Sequence, residues 1–312
     1  MQKMRLAIID LGTNTFNLLI VDVDVNKQYK IIFNDKAGVK LGKGGINNKI
    51  ITPEAFLRAL NGIAKHMESI QKFNAEKIIA TATSGIRSTE NGKELVTQIK
   101  KQFGIDVKII SGDEEAELIY RGVKQTVDFT EENALILDIG GGSNEFILVN
   151  KNGLLWKQSF DLGISRLLDR FNPSNPITRC EITEVEKYID SQLNPLYEAV
   201  KKYKPTTLIG SSGTFDSIRE MIIEQKGIKQ ENLINKNSYR INLFDYLSLH
   251  AELLKSTYNK RLSMKGLEFV RIEMIVLASI FVNFIIQKIG IKSLIQSSYA
   301  LKEGLVDKII NG

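Results

Sequence analysis

The sequence predicts a mixed α/β chain built from two similar halves that face each other across a cleft. Three observations carry that expectation. Short apolar β-type runs alternate with segments of helical period along the first 123 residues. An apolar strand ending in aspartate, a turn of small residues and a second apolar strand occur together twice, at Leu6–Val23 and at Ala134–Val149. The two aspartates, Asp10 and Asp138, lie about one domain length apart, as an internal duplication requires.

Leu6–Asp10 and Phe16–Val23 read as strands of a hairpin, because apolar β-formers flank the turn Leu11-Gly12-Thr13-Asn14. After a loop holding Gly42, Gly44 and Gly45, Thr52-Pro53-Glu54 supplies an N-cap and a proline at the first helical position. Phe56, Leu60, Ile63, Met67 and Ile70 then follow at helical spacing. A strand at Lys77–Thr81, a helix opening at Asn91 with Glu94 three residues on, a strand at Val107–Ile110 and a helix from about Asp113 complete the first half. The second half repeats the hairpin as Ala134–Asp138 and Glu145–Val149 around Ile139-Gly140-Gly141-Gly142-Ser143-Asn144. Beyond about residue 175 the chain is helix-rich, with strands expected at Thr206–Gly210 and Ser293–Gln296. The expected division is a first domain over 1–123, completed by the C-terminal segment 300–312, and a second over 124–299, with the boundary near Gly122–Thr130.

Composition narrows the function classes. With 43% apolar and 25% charged residues, the chain reads as globular. Cys180 is the lone cysteine and His66 and His250 the only histidines, so an intramolecular disulfide, cysteine-based zinc clusters and histidine-rich metal centres are excluded. No secretory signal is visible at the N-terminus, and a cytoplasmic location is expected. The greasy stretch Met274–Ile286 is too short for a membrane span and reads as a buried core helix. A net charge of +6 spread along the chain admits an anionic ligand, while neither nucleic acid nor membrane is expected as a partner.

An aspartate at a strand end beside a glycine-rich turn brings backbone N–H groups and a metal-holding carboxylate to phosphate oxygens together. One such turn is ordinary turn chemistry; two in tandem point to a phosphate site. The run Glu114-Glu115-Ala116-Glu117 is by itself the pattern of a solvated helix face. Arg87 could clamp phosphate with its fork of donors or simply pair with a carboxylate such as Glu90, and Gly210-Ser211-Ser212-Gly213-Thr214 is either a ligand-facing turn or a plain loop.

Five segments in order, DLGTNTFNLLI (Asp10 to Ile20), TSGIRSTENG (Thr83 to Gly92), SGDEEAELIYRGV (Ser111 to Val123), DIGGGSNEF (Asp138 to Phe146) and GSSGT (Gly210 to Thr214), closed by SSYALKEGL (Ser297 to Leu305), resemble the exopolyphosphatase / guanosine pentaphosphate phosphatase (Ppx/GppA) family over essentially the whole chain. The resemblance implies the actin-like ATPase (ribonuclease H-like) duplicated two-domain fold with an interdomain active-site cleft. It also implies a short form, since the chain ends before the C-terminal HD-type domain of larger members. It implies Glu115 as catalytic base, with Glu114 as the adjacent alternative, and Asp10, Asp138 and Glu145 as carboxylates near Mg²⁺ (or Mn²⁺). Phosphate contacts would come from Thr13, Asn14, Arg87, Gly140, Gly141, Gly142, Ser143, Asn144, Gly210, Ser211, Gly213 and Thr214. Thr13, Thr15, Asn144 and Glu273 depart from commoner family residues but keep a polar group, whereas Asn17 stands where some members carry a substrate-facing arginine. The implied substrates are inorganic polyphosphate or guanosine pentaphosphate (pppGpp), with short polyphosphate favoured and a homodimer left open. A phosphotransferase of the acetate- or sugar-kinase type and a catalytically decayed nucleotide sensor are the competing readings.

Overall fold

The computed structural model describes residues 3–229, 231 and 237–312. The chain opens with a three-stranded antiparallel meander, β1 (Met4–Leu11), β2 (Thr15–Val23) and β3 (Tyr29–Gly38). Helix α1 (Pro53–Lys72) starts as the sequence dictates: the Thr52 hydroxyl accepts from the Ala55 amide and Pro53 fills the first turn. Then come β4 (Lys77–Ala82), the single-turn α2 (Ser84–Arg87), α3 (Gly92–Phe103), β5 (Val107–Ile109) and α4 (Gly112–Val123). The sheet order is β3-β2-β1-β4-β5, with β4 and β5 parallel to β1. Asn91 does stand at the start of α3, but its side chain makes no cap; it pairs instead with both backbone groups of Ile51 at 2.9 and 2.8 Å. The asparagine thus ties the loop before α1 to α3.

The second half repeats the plan. A meander of β6 (Ala134–Ile139), β7 (Asn144–Asn150) and β8 (Gly153–Phe160) is followed by α5 (Ile164–Phe171), α6 (Arg179–Gln192) and α7 (Asn194–Tyr203). Next are β9 (Thr207–Ser211), α8 (Ser212–Lys226), β10 (Ser238–Ile241), α9 (Leu243–Lys255), α10 (Tyr258–Leu262), α11 (Ile275–Ile289), β11 (Ser293–Ser297) and α12 (Leu301–Asn311). The second sheet runs β10-β11-β9-β6-β7-β8. Read from β3 and from β8, the two sheets have matching order through five strands, three antiparallel and then two parallel, and the second sheet adds β10 antiparallel at its far edge. The third strand of each meander is absent from the sequence-based expectation for a common reason. β3 and β8 are edge strands whose residues are mostly half-buried on both faces, so no clean period-2 alternation marks them.

Met274–Ile286 forms the body of α11, which is apolar all round and buried in the second core, as expected for an internal helix. Among the described residues no helix is long and apolar enough to cross a membrane. His66, on α1, is fully buried with Nε2 3.0 Å from the Phe16 carbonyl, a structural role.

Between the sheets lie α4 and α12, whose Ile119, Leu301 and Leu305 join a core with Ile8 and Leu19 of the first sheet and Ile136 and Ile147 of the second. The two helices meet backbone to backbone. A Cβ on Gly304 would fall 1.7 Å from the Leu118 carbonyl oxygen, and one on Gly122 would fall 1.9 Å from that of Ala300. Only glycine permits that approach, and it seats the start of α12 against the end of α4.

Candidate active site

Sheet register assembles the site. Parallel pairing sets Thr81 beside Asp10, antiparallel pairing sets Asn17 beside Asp10, and Lys36 lies opposite Asn17. Directly paired residues share a face, so Thr81, Asp10, Asn17 and Lys36 make one polar row across the first sheet. The second sheet carries the matching row Ser211, Asp138, Glu145 and Ser159. Asp10 accepts from the Asn17 amide at 2.9 Å and Asp138 from the Ser211 hydroxyl at 2.8 Å. Glu145 Oε1 accepts from two hydroxyls, Ser143 at 2.6 Å and Ser159 at 2.7 Å.

The two turns close identically, Gly12 N–H donating to Thr15 O and Gly140 N–H to Ser143 O, both at 3.1 Å. They also abut. A Cβ on Gly141 would fall 2.5 Å from Asn14 Nδ2, and one on Gly142 would fall 2.6 Å from Thr13 Oγ1. The triple glycine is therefore demanded by the opposing turn as well as by its own backbone. Asn14 Oδ1 accepts from Ser165 Oγ at 2.6 Å, which joins the first turn to the start of α5.

Helix α4 sorts the acidic run. Glu114 faces Lys108 and Lys308 at 2.7 and 2.9 Å, and Glu117 faces Lys157 and Arg121 at 3.1 and 3.6 Å. Glu115 turns into the cleft and is buried, with Oε2 2.8 Å from Arg87 Nη1, which also donates to the Ile110 carbonyl at 3.0 Å. Arg87 therefore holds Glu115 rather than Glu90.

Four carboxylates are buried here together. Burial drives the Asp10 carboxyl up to about 6 against the opposing hydrogen bond from Asn17. Burial and then the charge of Glu145 push Asp138 up to about 7. Glu115 is raised well above the usual range, again by burial and by Glu145, with Arg87 working against the shift. Glu145 is raised by burial, its two serine hydroxyls opposing. Desolvation and mutual repulsion disfavour full ionisation of such a set unless a cation joins it.

The donor set fits a hard divalent cation. Asp10 Oδ1 is buried and makes no hydrogen bond, and the same holds for the cleft-lining Ser84 hydroxyl. Among the described residues no three acidic, histidine or cysteine side chains form a closed metal cage. A hard divalent cation held by one or two carboxylates, with water and phosphate completing its shell, needs no such cage.

Of the residues singled out from sequence, Asp10, Thr13, Asn14, Glu115, Asp138, Gly140, Gly141, Gly142, Ser143, Gly213 and Thr214 line the cleft. The others support it from outside. Asn144 turns away and donates to the Leu162 carbonyl at 2.9 Å, and Gly210 packs against the Phe215 ring. Ser211 serves Asp138, and the Ser143 hydroxyl is committed to Glu145.

Several cleft residues escaped the sequence reading. Lys36, Arg271 and Lys302 bring cations, and Glu303 a further carboxylate. Lys36 sits across the ladder from Asn17, so the cation that position 17 lacks comes from the neighbouring strand. Ser212 holds φ at 70°, a left-handed strain at the turn into α8. Arg166, on α5, donates to the Gly142 carbonyl at 2.7 Å, to Ser88 Oγ at 2.7 Å and to the Ile46 carbonyl at 3.3 Å. The available signals were weak: DLGISRLL marks a helix start but not where its arginine reaches.

Comparison with known proteins agrees with this architecture. The model of the Ppx/GppA phosphatase family matches residues 19–311. A bifunctional 3-dehydroquinate synthase/phosphatase of Fusobacterium nucleatum is 32% identical over 98% of this chain, which spans 46% of that relative's length. The crystal structure of an exopolyphosphatase from Cytophaga hutchinsonii superposes with a TM-score of 0.94 at 41% identity, covering 99% of this chain and 98% of that one. A Ppx/GppA family member from Aquifex aeolicus shares the fold with a TM-score of 0.76 at 20% identity, covering 99% of both chains. The fold is thus the duplicated two-sheet α/β arrangement that these solved structures share.

Proposed function

The chain belongs to the Ppx/GppA phosphatase family, and from that premise we propose that it is a divalent-metal-dependent phosphoanhydride hydrolase releasing terminal orthophosphate from inorganic polyphosphate. The observation that carries the proposal is the meeting of two abutting glycine turns with the buried carboxylates Asp10, Asp138 and Glu115 in one cleft.

The contacts support a role for each residue. Glu115 orients a water against the terminal phosphorus and takes its proton as the new P–O bond forms. The bridging P–O bond breaks, and its electron pair stays on the shortened chain. A raised carboxyl is a stronger base than an ordinary glutamate, and Arg87 opposes the rise. Amides of the Gly140–Gly142 turn and of the Thr13–Asn14 turn, which line the cleft, would receive phosphate oxygens. Asp10 and Asp138 would hold the cation, which supplies charge neutralisation for the phosphate oxygens. Glu145, anchored by Ser143 and Ser159, adds its charge to burial in raising the Glu115 carboxyl.

Polyphosphate is the favoured substrate over pppGpp, and short chains over long ones. Among the described residues no aromatic ring lines the cleft, so a guanine base has no stacking partner there, while Lys36, Arg271 and Lys302 offer cations to a bare phosphate chain. The test is kcat/KM for tripolyphosphate, long polyphosphate and pppGpp in Mg²⁺, since that ratio reports differential transition-state binding. Tripolyphosphate should lead. A value for pppGpp more than about tenfold higher, equivalent to about 1.4 kcal/mol, overturns the substrate preference. Failure to release phosphate from any of the three overturns the hydrolase reading itself.

A further inference from the structure

One carboxylate bonded to two cations of the cleft sits where an anion-binding site would be expected to exclude it. Glu268 precedes the 3-10 turn Phe269–Arg271, and its two oxygens are divided between two cations. Oε1 accepts from Lys36 Nζ at 3.0 Å and Oε2 from Arg271 Nε at 3.1 Å. Lys36 belongs to β3 in the first sheet and Arg271 to the second half of the chain, and both line the cleft. A carboxylate gripped by an ammonium from one side and a guanidinium from the other reproduces the charge pattern around a phosphate group.

We propose that Glu268 is an internal competitor of substrate: its carboxylate holds Lys36 and Arg271, and a phosphate chain that reaches these two cations must displace it, so Glu268 sets chain affinity and chain-length preference. The inference rests on the polyphosphate reading of the same cleft. Displacement is feasible because the pair is only partly buried, with the Glu268 side chain 39% and the Lys36 side chain 34% exposed. Such pairs are weak and screened by salt, whereas a polyphosphate brings several charges to the same two donors. Glu268 is not needed to neutralise Lys36 alone, since Asp216 Oδ2 lies 4.0 Å from the same ammonium. A parallel pair, Lys40 with Glu273 at 2.6 Å, also bridges the halves, so the link between them does not hang on Glu268.

Glu268→Gln keeps shape and hydrogen bonding but removes the charge, and calorimetric titration with tripolyphosphate, pyrophosphate and orthophosphate reads the result. Tripolyphosphate should bind roughly three- to tenfold tighter to the variant at low ionic strength, the scale of one screened charge contact. The gain should shrink toward orthophosphate, shrink with added salt, and be smaller in the Lys36→Ala background, where only Arg271 remains to be freed. Unchanged or weaker tripolyphosphate binding overturns the proposal and makes Glu268 a support for Arg271, and a gain of full size in the Lys36→Ala background overturns it as well. Phosphate release by the parent protein is scored separately. Its absence would sink the hydrolase reading while leaving the binding comparison to decide the role of Glu268.

Discussion

The hairpin at Asp10 and the hairpin at Asp138 close on the same backbone hydrogen bond, Gly12 to Thr15 and Gly140 to Ser143, at the same 3.1 Å. Their cross-strand rows then diverge. Next to Asp10 stand an amide, Asn17, and a cation, Lys36; next to Asp138 stand a second carboxylate, Glu145, and the hydroxyl of Ser159. The consequences are electrostatic. One oxygen of Asp10 is left without a hydrogen bond, while Glu145 is anchored by two serines and its charge raises both Asp138 and Glu115. Duplication has kept the device that aims amides at phosphate and has let the side chains divide the labour. Under the proposed function each row supplies one cation-holding aspartate, and the second adds the carboxylate whose charge acts on Glu115.

The largest effect should come from the residue that the second row tunes. Glu115→Gln is expected to lower kcat by roughly 10²- to 10⁴-fold with KM within a few-fold, because the base acts only as the transition state forms. Glu114→Gln, which removes a partner of Lys108 and Lys308, should leave turnover near normal. If the two variants exchange phenotypes, the base is Glu114 and the division between rows fails.

A second effect separates the Asp138 row from the rest through pH. The folded pKa of Asp138, about 7, lies above its ordinary value of 3.8, so between these limits the native state binds more protons than the unfolded one. Stability contributed by the protonated form is therefore present below about 4 and is lost as pH rises through about 7. In chelator, denaturant unfolding of Asp138→Asn against the parent should show the variant gaining about 2–3 kcal/mol between pH 5 and pH 8. Asp10→Asn, from a pKa of about 6, should gain in the same direction but by less. A pH-independent difference for Asp138→Asn would mean that the carboxyl is not buried as described.

Metal dependence sharpens the same contrast. Asp138→Asn should raise the Mg²⁺ concentration for half-maximal activity by roughly 10- to 100-fold, the scale seen when a metal site loses a ligand's supporting group, and chelator should abolish turnover of the parent. Full activity without a divalent cation would remove both aspartates from the role given them here.

How much of this was legible in the sequence depends on how far each feature reaches along the chain. The hairpins and the start of α1 were legible, because an aspartate with a glycine turn and a Thr-Pro cap are local devices. Glu115 was legible through motif order, and a second signal was available. It shares the apolar stripe of Leu118, Ile119 and Gly122, while Glu114 and Glu117 lie off it. Asn91 shows the opposite case, a residue with cap chemistry whose side chain is used by a loop 40 positions away. Lys36 and Glu268 could not be read, since one is delivered by sheet register and the other by a contact 232 residues distant.

The smallest expected effect tests whether the two hairpins work as a pair. Arg166 touches both halves: its Nε holds the carbonyl of Gly142 in the second turn, and its Nη2 holds Ser88 just past α2. A peptide unit fixed by its carbonyl has its neighbouring amides fixed too, so Arg166 is a positioning residue for the cradle without touching substrate. Because oriented amides act on charge that develops in the transition state, Arg166→Ala should lower kcat/KM by about tenfold, mostly through kcat. Arg166→Lys should recover only part, since an ammonium cannot reproduce a fork that bonds in three directions. Ser88→Ala, which removes one prong and leaves the Gly142 contact, should sit nearer the parent than either. A thermal shift will accompany Arg166→Ala, so the decisive comparison is kinetic, at a temperature where every variant is folded. If Arg166→Ala loses stability and retains full kcat, the arginine merely clamps the halves together, and each hairpin orients its amides without help from the other.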